Sequence, residues 1–300
     1  NVQVDSNQAE QYGGGLYMGN DTLSAVNTTF NYNTSTNSSY GGGGIYFNDD
    51  NGSYVLDECY IQNNTAVLYG GGVYCDQGSP VFTNALITDN VLTGSSTKGG
   101  GVYTNNSNAD PVFTNVTIAN NTADNGGGYY RNSGDPTFIN TIIWHNTPNS
   151  YNTSSGVTAT YSDIEGGFTG TGNIDTDPLF VDTLTADYHL TWGSPCIDTG
   201  DPDLDGDGNT WESDPDDQDP DGTRMDMGAL YYFQESAPLV SIASSETSPT
   251  NVSPIPITVT FSEDVTGFEQ SDVILGNSSI GNFSGSGSNY SFDITPVGDG

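Results

Sequence analysis

Positive charge is nearly missing from this chain. Three basic residues, Lys98, Arg131 and Arg224, stand against 38 acidic ones, a formal net charge of -35 over 300 residues. Binding a polyanion takes a patch of cations that displaces its counterions, so nucleic acid is excluded as a partner. Cysteine is scarce too: Cys59, Cys75 and Cys196 are the three, a number that cannot pair off within the chain and builds no disulfide framework. They read as small buried apolar residues. Nothing approaches the roughly 18 consecutive apolar residues of a membrane span, so none is expected. The chain opens at Asn1 with neither Met nor a charged-then-apolar leader, which reads as an excised or mature piece. Hydrophobic content is low at 33%, yet 18 Tyr and 12 Phe are enough to line a continuous interior, which argues against disorder. Abundant Gly, Asn, Ser, Thr and Asp with little Lys suits an exported bacterial surface protein.

The sequence is dominated by a repeat. "YGGGLY" from Tyr12, "YGGGGIY" from Tyr40, "YGGGVY" from Tyr69, "KGGGVY" from Lys98 and "NGGGYY" from Asn125 share one phrase. Their glycine triplets, taken from Gly13, Gly42, Gly70, Gly99 and Gly126, are 29, 28, 29 and 27 residues apart. A second phrase follows each, as in "FTNALITDN" from Phe82, and aligns Asn33, Asn64, Asn90, Asn121 and Asn146 in one column and Phe30, Ile61, Ile87, Ile118 and Ile143 in another. Helices need apolar residues at i, i+3, i+4 and i+7 and avoid glycine triplets. Short β-branched and aromatic pieces separated by Gly, Asn and Ser are strands, and a period in the twenties marks a solenoid. Such a unit is one coil of a parallel β-helix, neighbours about 4.8 Å apart, so each column becomes a physical ladder. The asparagine column predicts stacked side-chain amides at a bend, and the glycines predict positive φ and close backbone approach. Strand alternation places Leu16, Ile45, Val73, Val102 and Tyr129 inward and sends Tyr17, Tyr46, Tyr74, Tyr103 and Tyr130 outward. The expectation is an exposed tyrosine stripe, a stacking surface for sugar rings or a partner protein; the plainer alternative is that the rings pack on each other and on a covering loop.

Residues 12–147, on "GGGVY" with "FTNALITDN", resemble the right-handed β-helix repeats of bacterial secreted proteins, including polymorphic outer-membrane proteins. Residues 157–229, on "SDIEGGFTGTGNIDTDPLFVD" and "DPDGTRMDMGA", resemble the closing region of β-helix proteins of the choice-of-anchor-Q type. That resemblance implies last strands from "SDIEGG" and "PLFVD", with Trp192, Tyr188 and Leu190 over the terminal apolar edge. Beyond Pro238, alternating stretches such as Ile257 to Phe261 and Tyr290 to Ile294 resemble bacterial Ig-like repeats of surface proteins, short of a whole sandwich and implying further strands past Gly300. The fold class is therefore all-β, a right-handed parallel β-helix over residues 1–235 with an acidic loop at about 198–226, then a partial Ig-like β-sandwich over 236–300.

The densest local chemistry is "DPDLDGDGNTWESD" from Asp201. Asp201, Asp203, Asp205, Gly206 and Glu212 fit the spacing of a calcium loop, and a second frame runs through Asp203, Asp205, Asp207, Gly208 and Asp214. Alternate carboxylates converge on a hard cation while glycine makes the sharp turn, so Ca2+ is the expected cofactor; the bland reading is a solvated acidic loop. Catalysis finds less support. A lyase acting on acidic sugars needs clustered cations, which three scattered basic residues do not give. A hydrolase needs two placed carboxyl groups, and the candidate pairs Asp49 with Asp50, Asp57 with Glu58, and Asp163 with Glu165 all read equally as turn or surface residues. His145 and His189 lack evident partners. The expected function is a non-catalytic adhesin or scaffold at the cell surface or outside the cell, contacting a surface glycan, polysaccharide or neighbouring surface protein. The alternatives are a β-helix carbohydrate-active enzyme and a purely structural stalk.

Overall fold

The computed structural model describes residues 2–152, 155–234, 238–248 and 250–297. The chain divides into two compact units, Asn1–Phe233 and Gln234–Gly300; the boundary expected between 235 and 236 lies outside the described residues. Among these there is no α-helix, only strands and three short 3-10 turns.

The first unit is a coil of parallel strands with three long sides. One side stacks six strands: Leu16–Met18, Ile45–Asn48, Val73–Gln77, Val102–Thr104, Tyr129–Arg131 and Tyr151–Asn152. The second stacks six more, from Thr22–Val26 through Val81–Thr83 to Thr158–Thr160, and the third stacks seven, from Val2–Asp5 through Leu86–Thr88 to Asp163–Ile164. Two-residue strands at Gln8–Ala9, Thr34–Ser35, Thr65–Ala66 and Val91–Leu92 complete the turn. The register is the one the columns predict: Ile61, Ile87, Ile118 and Ile143 pair in sequence, as do Phe82, Phe113 and Phe138. Inward residues of all three sides form one core, in which the Phe82, Phe113 and Phe138 rings stack face to face with centroids 5.1 and 4.9 Å apart. Burying each such ring contributes about 1.5–3 kcal/mol. All three cysteines are free and buried.

The corners explain the repeat's punctuation. In the triplet Gly42 to Gly44, the first glycine has φ +74, a left-handed conformation. A Cβ on Gly43 would lie 2.2 Å from the Gly71 carbonyl oxygen of the next coil, and one on Gly44 would meet the Asn64 amide nitrogen at 3.0 Å. The third glycine thus clears room for the asparagine column. Its amides are fully connected: Asn64 Nδ2 donates to Asn90 Oδ1 in one neighbouring coil (3.0 Å) and to the Phe30 carbonyl in the other (2.9 Å), while the Asn64 N–H also donates to Asn90 Oδ1 (2.9 Å). Asn33, Asn90 and Asn121 repeat the pattern, and Asn7 adds a rung that the alignment omits. Each interior amide is buried yet satisfied, which removes the cost of taking it out of water.

The closing segment departs from expectation. Asp163–Ile164 does continue the third side, but Phe180–Asp182 pairs antiparallel with Asp187–Leu190 as a hairpin instead of adding a coil. Tyr188 and Leu190 are buried against the flank of the coil, Tyr188 beside Leu86 and Ala119 and Leu190 beside Ile142 and Trp144. Trp192 is 84% exposed and covers nothing. The apolar end is packed instead by Val157 and Phe168, whose ring meets Tyr151 edge-on at 5.6 Å. The side wins over the end because outward apolar residues such as Leu86, Ala119, Ile142 and Trp144 form a bare stripe that only a returning segment can cover.

The second unit is a curled antiparallel sheet of Val240–Ser244, Ile255–Val265 and Ser278–Pro296. Val259, Tyr290 and Phe292 are its buried centre, joined by Phe261, Phe268 and Phe283.

Candidate functional site

The tyrosine column points away from the coil interior, as alternation requires, but it is not an open stripe. Tyr46, Tyr74 and Tyr103 are buried; only Tyr17 is exposed, at 44%, and Tyr130 is half-buried. The cover comes from Tyr12, Tyr69 and Lys98, residues that precede glycine triplets. Tyr12 sits 4.9 Å from Tyr46 and Tyr69 stacks on Tyr103 at 4.8 Å, while the Lys98 ammonium lies 4.9 Å over the Tyr130 ring. The phrase "YGGGxY" therefore writes two interleaved aromatic files, and the leading Tyr was the signal available in the sequence. Asp76 ties the layer down, accepting from the Tyr46 hydroxyl (3.0 Å) and from the Asn105 and Asn106 amides (2.6 and 3.2 Å). Burial, and then the Asp76 charge, push the Tyr46 and Tyr74 hydroxyls above the usual phenol range, so they stay neutral donors. Neither Tyr46, Tyr74 nor Tyr103 presents a free face to a ligand.

The acidic loop keeps part of its expected pattern. Carboxylate oxygens of Asp205, Asp207 and Asp214 lie within 4.8 Å of one another, as do those of Asp203, Asp205 and Asp217. Asp201 and Glu212 join neither group: Asp201 accepts the Asp203 N–H at 3.2 Å, and Glu212 accepts the Thr210 hydroxyl. The frame through Glu212 is thus not assembled, and Asp217, which neither frame contains, takes part.

A concave site, missed by sequence reasoning, lies on the flank where the returning segment meets the coil. It is a cleft of about 850 Å3. One wall is a file of corner residues from successive coils, Asn27, Glu58, Asn84 and Asn115, all left-handed with φ 48 to 52. Their side chains link along the axis: Asn140 Nδ2 donates to Asn115 Oδ1 (3.0 Å), Asn115 to Asn84 (3.3 Å) and Asn84 to Asp57 (3.3 Å). Aromatic residues also line the cleft, Tyr231, Tyr232 and Phe233 from the returning segment and Tyr60 from the coil itself. The "N" of "FTN" is visible in the sequence, but the aromatic lining from the returning segment lies more than a hundred residues away.

Carboxyl groups in the cleft are committed to structure. Asp226 accepts the Asp198 and Tyr232 N–H groups (2.8 and 2.6 Å), and its own N–H donates to Asp219 (2.8 Å). Burial pushes both carboxyls up, and both are held by backbone N–H groups rather than left free to flank a glycosidic bond. Of the pairs noted in the sequence, only Glu58 lines the cleft. Asp49 accepts the Asn51 N–H, Asp50 the Asn108 amide, and Glu165 the His145 N–H and the Ser150 hydroxyl. His189 is exposed at the cleft mouth, its Nδ1 2.7 Å from Asp187. The basic residues are dispersed, Arg131 beside Asp135 and Arg224 on the carbonyls of Thr199 and Gly200.

These features define a solenoid with a lateral groove, and comparison places it. Residues 43–172 match the family model of a right-handed beta helix region, and residues 234–299 match a bacterial Ig-like domain. No curated protein and no solved structure matches the chain. The chain thus carries a right-handed β-helix followed by a bacterial Ig-like domain, modules typical of surface or exported proteins. No helix among the described residues is long and apolar enough to cross a membrane.

Proposed function

We propose that the protein is a non-catalytic surface or secreted adhesin or scaffold that holds a glycan in the flank cleft. The observation that carries this reading is the cleft's pairing of an amide file with an aromatic lining. Side-chain amides donate to and accept from sugar hydroxyls, and tyrosine faces stack on the apolar faces of sugar rings. With a net charge of -35 and three dispersed cations, the favoured ligand is a neutral polysaccharide rather than an acidic one.

Affinity electrophoresis of the full chain through gels containing neutral or acidic polysaccharides tests this. Retardation by a neutral polymer is expected, with Tyr231→Ala weakening it about tenfold, the scale of one lost stacking contact. Retardation unchanged by Tyr231→Ala and Asn84→Ala together would remove the cleft from consideration. New reducing ends or unsaturated products would instead favour the carbohydrate-active enzyme. Absence of both binding and product would leave the structural stalk.

A further inference from the structure

We propose that the loop 203–217 holds a divalent cation of the calcium class on Asp203, Asp205 and Asp217, with Asp207 and Asp214 sharing Asp205 to form an adjoining second position. Clustered acidic residues are common on surfaces, and what singles out this group is Asp217. It is fully buried, its Oδ1 accepts the Leu204 N–H at 2.6 Å, and its Oδ2 is buried and accepts no hydrogen bond of normal geometry. A buried carboxylate oxygen without a donor is costly. The Asp217 carboxylate belongs to a group whose other members, Asp203 and Asp205, bring further negative charge within 4.8 Å. Among the described residues no lysine or arginine forms an ion pair with any of them, and the nearby Arg224 is engaged with the carbonyls of Thr199 and Gly200. One cation supplies what the protein withholds: it ligates the stranded oxygen and relieves the repulsion.

The chemistry of the donors selects the ion. Every candidate ligand is a carboxylate oxygen, with no histidine or cysteine in either group, which favours a hard cation over zinc or copper. Oxygens bound to calcium at about 2.3–2.6 Å are separated by at most about 5 Å, and the 4.8 Å limit falls inside that span. Calcium accepts irregular shells of six to eight oxygens, whereas magnesium demands a tight octahedron and keeps its water. The site also ties the two ends of the loop together, since Asp203 and Asp205 lie ahead of the bend and Asp217 behind it.

The test is calorimetric titration of the EDTA-stripped full chain with Ca2+ in buffered salt, paired with thermal unfolding. Saturable binding with Kd below about 1 mM is expected, with Mg2+ at least about tenfold weaker. Asp217→Asn should weaken Ca2+ binding by about tenfold or more, while Glu212→Gln, outside both groups, should change it less than about twofold. Calcium should raise the unfolding temperature of the wild type but not of Asp217→Asn. In EDTA the Asn variant should unfold no lower than wild type, because it removes a stranded charge rather than a contact. Should Asp217→Asn fail to fold, Asp203→Asn at its more accessible position gives the same loss of affinity. No saturable binding below 1 mM, or equal affinity in wild type and Asp217→Asn, overturns the proposal.

Discussion

Asp163 is fully buried at the last strand of the coil's third side, with the Cys196 thiol 3.3 Å from its Oδ2 and the Thr176 N–H donating to its Oδ1. Burial pushes its carboxyl up to about 6 despite those hydrogen bonds. In the unfolded chain it titrates near 3.9. Because the folded value is the higher one, the folded state holds the proton more tightly. The resulting stabilisation is complete below about pH 4 and is lost as pH rises through about 6, an amount on the order of 2 kcal/mol. Urea midpoints measured between pH 4 and pH 8 should therefore fall with rising pH, and Asp163→Asn should flatten part of that slope. A variant with the wild-type slope would show that the carboxyl ionises as freely folded as unfolded. Asp163 was noted in the sequence as half of a catalytic pair with Glu165; the fold separates their roles, Glu165 capping His145 and Ser150 instead.

At the scale of the stacked elements, the asparagine file is the feature most open to a quantitative test. Asn90→Ala removes the acceptor of the Asn64 N–H and Nδ2 groups and the donor to the Ile61 carbonyl and to Asn121. Several buried groups are stranded at once, so the loss should be on the order of 3 kcal/mol. Asn146→Ala at the end of the file likewise removes the acceptor of the Asn121 N–H and Nδ2 groups and the donor to the Ile118 and Trp144 carbonyls, and should cost a similar amount. Chemical denaturation of both variants checks this; a loss below about 1 kcal/mol in either would mean that the amides are not held in a connected buried file. This ladder, the inward Phe and Ile columns and the in-phase register were legible because each is a property of one short phrase compared with its copies. The tyrosine layer was half legible: alternation gave its direction, but exposure depends on residues that precede triplets and on Asp76 from a strand end. The flank cleft was not legible, because its walls come from segments far apart in sequence and no repeat relates them. The acidic loop shows the same limit. Spacing within fourteen residues located Asp203, Asp205, Asp207 and Asp214, while the buried Asp217 falls outside any such frame.

For the first unit taken whole, the returning segment changes how the coil is expected to unfold. A bare solenoid contacts only its neighbours and can open one coil at a time. Here the Tyr188 hydroxyl donates to Asp89 (2.9 Å), Asn120 Nδ2 to the Thr183 carbonyl (3.1 Å), the Ala229 N–H to Thr117 (3.0 Å) and the Gly228 N–H to the Asn140 carbonyl (2.7 Å). These bonds fasten one segment across several successive coils. Native-state hydrogen exchange should therefore show Leu86–Thr88, Thr117–Ala119 and Ile142–Trp144 losing protection together. Protection lost progressively from one end, strand by strand, would show that the segment rests on the flank without binding the coils into one cooperative unit.

The same bridging segment acts as a ruler. Its attachment points at Asp89, Thr117, Asn120 and Asn140 fall on consecutive copies of the repeat, so the copy number between them is fixed by the length of the tail. Tandem duplication, the ordinary way in which repeat arrays grow, would push those anchors out of reach if it occurred there. Among the described residues no hydrogen bond joins that segment to the array ahead of Tyr60, so lengthening there by gain of copies breaks none of these anchors.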